Sequence, residues 1–94
     1  MRLNDLERDA IRRTIADLDP EARVYLFGSR TDDTKRGGDI DLLVMSNKLK
    51  HDDRGKICWN LWEQIGEQKI DIIIVKDDAD PFVKIALHNG VPLL

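Results

Sequence analysis

The sequence predicts a small α+β domain, a mixed β-sheet covered by helices in a sandwich-like arrangement. Two observations predict it: short β-branched runs alternate with amphipathic segments, and their order is α-β-(turn)-β-α-β-α-(β). A length of 94 residues and a hydrophobic fraction of 41% allow one modest core, so residues 1–94 are expected to form one domain. Helices are expected on at least one face of the sheet.

The first predicted element is an amphipathic helix over residues 5–18. Asn4 and Glu7 have the spacing of a capping box, and Pro20 stops the helix. Its apolar residues recur at helical spacing: Leu6, Ala10, Ile11, Ile15 and Leu18. The apolar run Arg23–Phe27 then predicts a strand, and the polar residues 30–38 predict a surface loop.

Two further strands are predicted at Asp39–Met45 and Lys69–Val75. The second contains four consecutive β-branched residues and is expected to be buried. Between them, a helix of about residues 52–66 is marked by apolar residues at helical spacing: Ile57, Leu61, Trp62 and Ile65.

Asp80 followed by Pro81 predicts the start of a last helix, which ends at Asn89-Gly90. This helix is expected to bury Phe82, Ile85 and Ala86. Residues 91–94 are expected to add an edge strand, where a proline is tolerated.

Composition excludes several classes of function. No apolar run approaches the roughly 20 residues that cross a bilayer, and the first five residues lead into charged sequence rather than a signal peptide. The single cysteine, Cys58, excludes an intrachain disulfide and a cysteine-rich zinc site. With a net charge of −3 and no basic stretch, a nucleic-acid footprint is not expected. A cytoplasmic protein is therefore expected.

Three carboxylates stand in or beside predicted strands, where aspartate is disfavoured. Asp39 and Asp41 share one strand face because side chains alternate, whereas Ile40 lies opposite. Asp71 lies within a strongly apolar strand. Adjacent carboxylates repel unless a cation lies between them, which predicts a site for Mg²⁺ or Mn²⁺. The alternative is a solvated strand edge, with Asp71 paired to Lys69 or an arginine.

A second motif, Gly28-Ser29, directly follows the first predicted strand. The backbone N–H groups and the hydroxyl of such a turn can hold a phosphate. The alternative is an ordinary turn in which Ser29 caps a helix.

Taken together, these motifs resemble the DNA polymerase β-like nucleotidyltransferase superfamily, and above all its smallest members, the minimal nucleotidyltransferases (MNT proteins). The resemblance extends over almost the whole chain. Its motifs are Phe27-Gly28-Ser29-Arg30, Gly38-Asp39-Ile40-Asp41-Leu42-Leu43-Val44, Ile70-Asp71-Ile72 and the final Gly90-Val91-Pro92-Leu93-Leu94. Two departures are Gly38, where relatives often have serine, and a slightly shorter loop before it.

The resemblance implies a polymerase β-like fold and transfer of a nucleoside monophosphate, AMP from ATP, to a hydroxyl. Asp39, Asp41 and Asp71 would bind two Mg²⁺ ions, and Asp71 would also accept a proton. Gly28 and Ser29 would bind the leaving phosphates. Arg30 would either contact phosphate or pair with a carboxylate.

MNT proteins commonly act as antitoxins of a separately encoded HEPN-domain ribonuclease. The resemblance therefore implies a hetero-oligomer whose acceptor is a hydroxyl of that partner, such as a tyrosine. Two alternatives stay open: a binding module that neutralises its partner by contact alone, and an enzyme that modifies a small molecule.

The remaining polar and aromatic residues have simpler interpretations. Trp59 and Trp62 are predicted to be core residues, with a partner surface as the second choice, and the two histidines, His51 and His88, to be surface residues. The acidic segment 77–80 is expected to cap a helix rather than bind calcium. Cys58 is expected to be a small hydrophobic residue of the core or surface.

Overall fold

The computed structural model describes residues 3–27, 40–77 and 79–93. The elements in chain order are α1 (Asp5–Leu18), β1 (Arg23–Phe27), β2 (Ile40–Met45), a 3-10 turn (His51–Asp53), α2 (Arg54–Ile65), β3 (Ile70–Val75), α3 (Pro81–Asn89) and β4 (Val91–Pro92). The strands form one sheet in the order β3-β2-β1-β4. β1 is antiparallel to β2 and β4, whereas β2 and β3 are parallel. The predicted mixed α+β fold is confirmed.

Helix α1 has the predicted bounds because its start is capped as the sequence indicates. The Glu7 backbone N–H donates to Asn4 Oδ1 at 2.7 Å, and the Asn4 N–H donates to Glu7 Oε1 at 3.2 Å. This reciprocal pair satisfies two amides that the first helical turn leaves open.

Helix α2 begins later than predicted because a 3-10 turn precedes it. The Asp53 carboxylate accepts a hydrogen bond from the Lys50 amide at 2.8 Å and stabilises this turn. The helix ends at Gly66, whose φ of 89° is accessible to glycine at little cost.

Helices cover both faces of the sheet. On one face, α1 and α2 pack against the inward residues of β1, β2 and β3 and form the larger core, whose fully buried members include Ile11, Ile15, Val24, Leu26, Ile40, Leu42, Val44, Ile57 and Leu61. On the other face, α3 forms a smaller core, in which Val83 and Ala86 pack with Leu43. Tyr25, Phe27 and Ile73 flank that smaller core.

Three large apolar residues lie outside the core, and two of them, Phe82 and Ile85, were predicted to be buried. Leu6 is 59% exposed, Phe82 50% and Ile85 61%. The side of α3 that packs on the sheet carries Val83 and Ala86. Each of these residues directly follows one of the residues predicted to be buried, Phe82 and Ile85. The helix is apolar on both sides, so periodicity alone does not fix its rotation.

Strand β3 is also less buried than predicted. It lies at the edge of the sheet, and Ile72 alone among its residues is buried. None of the helices in the described part of the chain has the length and apolarity needed to span a membrane.

Candidate active site

Two of the predicted carboxylates lie side by side in the sheet. Asp41 of β2 is in register with Asp71 of the parallel strand β3, and on its other side with Phe27 of β1. Residues in register point to the same face, and neighbouring strands are about 4.8 Å apart. We call Asp41 and Asp71 the carboxylate row.

The row lies on the face that α3 partly covers. Ile40 and Leu42, on either side of Asp41, are fully buried beneath α1 and α2, so the predicted alternation around Asp41 is confirmed. Asp41 itself is partly buried and Asp71 is exposed. Water therefore solvates the Asp71 carboxylate. Its negative charge does not need the opposite charge that a carboxylate in a buried strand would require.

The structure places only part of the predicted site. Gly28, Ser29, Arg30 and Asp39 lie outside the described residues. Within residues 3–27, 40–77 and 79–93, no group of three or more His, Cys, Asp or Glu side chains is placed to hold a metal ion. The carboxylate row thus supplies two oxygen-donor side chains.

An aromatic pair, which the sequence did not predict, lies next to the carboxylate row. The rings of Phe27 and Phe82 meet edge to face, with centroids 6.2 Å apart and planes at 82°. Phe82 was expected in the core, but half of its surface is exposed. The sequence signal for this position is weak: Phe82 is one residue out of phase with Val83 and Ala86.

Other predicted residues are not members of the row, although Cys58 of α2 lines a small cleft together with Asp71. Trp59 is 61% exposed, so the prediction of a core residue was wrong for it, whereas Trp62 is partly buried. His51 and His88 are exposed, as predicted. Burial raises the pKa of the partly buried Cys58 thiol.

The acidic segment before α3 caps the helix, as predicted. Asp80 Oδ1 accepts from the Phe82 amide at 2.7 Å, and Asp77 Oδ1 accepts from the Ala79 amide at 3.0 Å. These hydrogen bonds satisfy local backbone donors.

The four-stranded mixed sheet and three α-helices of the described residues match the fold of the polymerase β-like nucleotidyltransferases. The sequence pattern of the family described as "Polymerase beta, Nucleotidyltransferase" matches residues 10–94, and the chain belongs to this family. A comparison with curated protein sequences found no match.

Two solved structures are similar to this fold. One is described as the crystal structure of the toxin-antitoxin MntA-HepT. It has a TM-score of 0.69 and 20% sequence identity to this chain, and the match covers 97% of this chain and 72% of that chain. The other is described as a crystal structure of the toxin-antitoxin with AMP-PNP. Its TM-score is 0.74 and its sequence identity 22%, and the match covers 93% of this chain and 72% of that chain.

Proposed function

We propose that this chain is a Mg²⁺-dependent nucleotidyltransferase that transfers AMP from ATP to a hydroxyl group of a separately encoded HEPN-domain protein. Membership of the nucleotidyltransferase family supports the reaction class. The observation that carries the proposal is the register of Asp41 with Asp71, which brings two chain-distant carboxylates together on one sheet face.

The donor set fits a divalent cation. Mg²⁺ and Mn²⁺ prefer carboxylate oxygens, and both Asp41 and Asp71 present such oxygens from a rigid sheet. We assign Asp39, two residues before Asp41 in sequence, to the same ligand set. When bound, the two cations would neutralise the triphosphate and lower the pKa of the acceptor hydroxyl.

The proposed reaction is an in-line displacement at the α-phosphorus of ATP. The acceptor oxygen forms a bond to that phosphorus, and the bond to the bridging oxygen of the β-phosphate breaks, so pyrophosphate leaves. We assign Asp71 the role of accepting the hydroxyl proton, because its exposed carboxylate is open to an incoming substrate. We assign Gly28, Ser29 and Arg30 to the leaving phosphates.

The proposed partner rests on the resemblance to MNT proteins and on the similar toxin-antitoxin structures. One of these is described as containing AMP-PNP, an ATP analogue, which supports ATP as the donor. Transfer of AMP to the HEPN-domain partner would neutralise it.

The test is label transfer to the proposed partner, a HEPN-domain protein encoded by a neighbouring gene. We expect label from α-³²P-ATP, but not from γ-³²P-ATP, to join the partner in the presence of Mg²⁺, and EDTA to abolish the transfer. Replacing a residue that merely supports a metal ligand costs about 10- to 100-fold. We therefore expect Asp41→Asn and Asp71→Asn each to slow transfer by at least about 100-fold.

The matched control is Asp9→Asn, which removes one carboxylate from the exposed side of α1 and should leave the rate unchanged. Equal transfer by Asp41→Asn and the native chain would show that the site is wrongly assigned. Neutralisation of the partner by Asp41→Asn/Asp71→Asn without any label transfer would instead support a contact-only binding module.

A further inference from the structure

A second feature of the molecule lies on the outer side of α2. Trp59, Trp62, Glu63 and Glu67 line a shallow cleft of about 190 Å³, which we call the tryptophan surface. Trp62 and Glu63 follow Trp59 by three and four residues, so the three side chains share one side of the helix. Glu67 follows in the turn after the helix.

The two indole rings have different environments. The Nε1–H of Trp62 donates to the Gln68 backbone oxygen at 2.7 Å, which fixes the orientation of a partly buried ring. Trp59 lies beside it with most of its surface open to solvent. Exposed tryptophans of this kind are enriched among the residues that dominate protein interfaces.

The charges around the cleft select the kind of group that fits it. Indole faces attract cations, and the two other lining residues, Glu63 and Glu67, are exposed acids. The same carboxylates would repel the phosphates of a nucleic acid, so base stacking on Trp59 is disfavoured. A guanidinium group combines both contacts, because it stacks on aromatic faces and pairs with a carboxylate through two hydrogen bonds.

The tryptophan surface lies on the outer side of α2. The inner side of α2 carries Ile57 and Leu61, which pack in the larger core. This core lies on the sheet face opposite Asp41 and Asp71.

We propose that the tryptophan surface binds a protein partner through an arginine side chain, which stacks on Trp59 and pairs with Glu63 and Glu67. The proposal stands on the charge and exposure of this cleft. It does not depend on the nucleotidyl transfer proposed above.

The test uses tryptophan fluorescence, since the chain has two tryptophans and both belong to this surface. The native chain is titrated at low salt with acetyl-tetra-arginine amide, and the emission change is expected to saturate. Tetra-lysine should bind several-fold more weakly, because an ammonium group lacks the planar stacking face. Glu63→Gln/Glu67→Gln removes two exposed ion pairs and should weaken tetra-arginine binding by about tenfold.

The matched control is Asp9→Asn/Asp17→Asn, which removes the same charge from exposed positions on α1 and should bind like the native chain. Trp59→Leu, which keeps Trp62 as the reporter, should also bind more weakly. Far-UV circular dichroism and the unfolding midpoint confirm that each variant folds.

Two results would overturn the proposal. Equal weakening by the two double variants would show general charge attraction rather than a defined cleft. An emission shift that depends on protein concentration in the absence of peptide would show that a second copy of the chain covers the surface.

Discussion

At the end of β2, the hydroxyl of Ser46 joins segments that are far apart in the chain. It donates to Asp19 Oδ2 at 2.5 Å and accepts from the backbone amides of Lys48 and Leu49 at 3.0 and 2.8 Å. Asp19 Oδ1 also accepts from the Glu21 amide at 3.0 Å. Both side chains are buried, so this network holds the end of α1 against the end of β2.

The network makes stability depend on pH. The Ser46 hydrogen bond, followed by that of the Glu21 amide, holds the pKa of Asp19 below its ordinary value of 3.8. A carboxyl group with a lowered folded-state pKa stabilises the fold fully above its unfolded-state pKa, and this contribution is lost as the pH falls through the folded-state pKa.

We therefore expect the urea midpoint to fall as the pH is lowered from about 5 toward 2. Ser46→Ala removes the largest cause of the shift, so its stability should fall less steeply over the same range while being lower at neutral pH. Asp17→Asn, which changes an exposed carboxylate on the same helix, is the control. A Ser46→Ala profile parallel to the native one would contradict this account.

Trp59 and Phe82 show the limit of predicting single residues from sequence. Both belong to helices with the predicted periodicity, yet both are at least half exposed. Exposure depends on how far each helix is rotated about its axis when it packs on the sheet. When a helix has apolar residues on two sides, its sequence does not determine which side packs on the sheet.

At the scale of elements, the junction between α3 and β4 is packed closely against backbone atoms. A Cβ on Gly90 would lie 2.6 Å from the Ala86 carbonyl oxygen and 3.1 Å from that of Leu26. Gly90 has a φ of −82°, so close approach rather than conformation requires glycine here.

We expect Gly90→Ala to lower the free energy of unfolding by about 1–3 kcal/mol, the usual cost of overpacking. The matched control is Gly55→Ala in α2, where a new Cβ meets no atom within 4 Å. There alanine should raise stability by up to about 1 kcal/mol, because it favours the helix over the unfolded chain. Urea unfolding of both variants measures the difference, and equal effects would refute the packing argument.

The element boundaries were largely predictable from local signals. Capping at Asn4 and Asp80 and the glycine at Gly66 act within a few residues, so they mark helix ends without tertiary information. The 3-10 turn at 51–53 was missed, because its stabilising Asp53 contact resembles an ordinary helix start.

For the whole molecule, the two faces of the sheet are unequal. The core beneath α1 and α2 contains most of the buried apolar residues, whereas α3 contributes Val83 and Ala86 to a small core around Leu43. Elements that bury little apolar surface open at lower free energy than the rest of a domain.

We expect native-state hydrogen exchange to show α3 opening before the rest of the fold. The opening free energy of its amides should lie at least about 1 kcal/mol below that of β2 amides. Leu43→Ala should lower the protection of α3 more than that of α1, because Leu43 is buried on the α3 side. Uniform protection across α1, α3 and β2 would contradict this expectation.

The sequence by itself determined the element order, the helix caps and the alternation that separates Asp41 from Ile40 and Leu42. These properties depend on neighbours a few residues apart, which local propensity and side-chain periodicity describe. Only the tertiary structure decided that Asp41 and Asp71 share a register, that β3 lies at the sheet edge and that Trp59 faces solvent. Strand pairing and helix rotation arise from contacts between segments distant in the chain, and these contacts exist only once the core has packed.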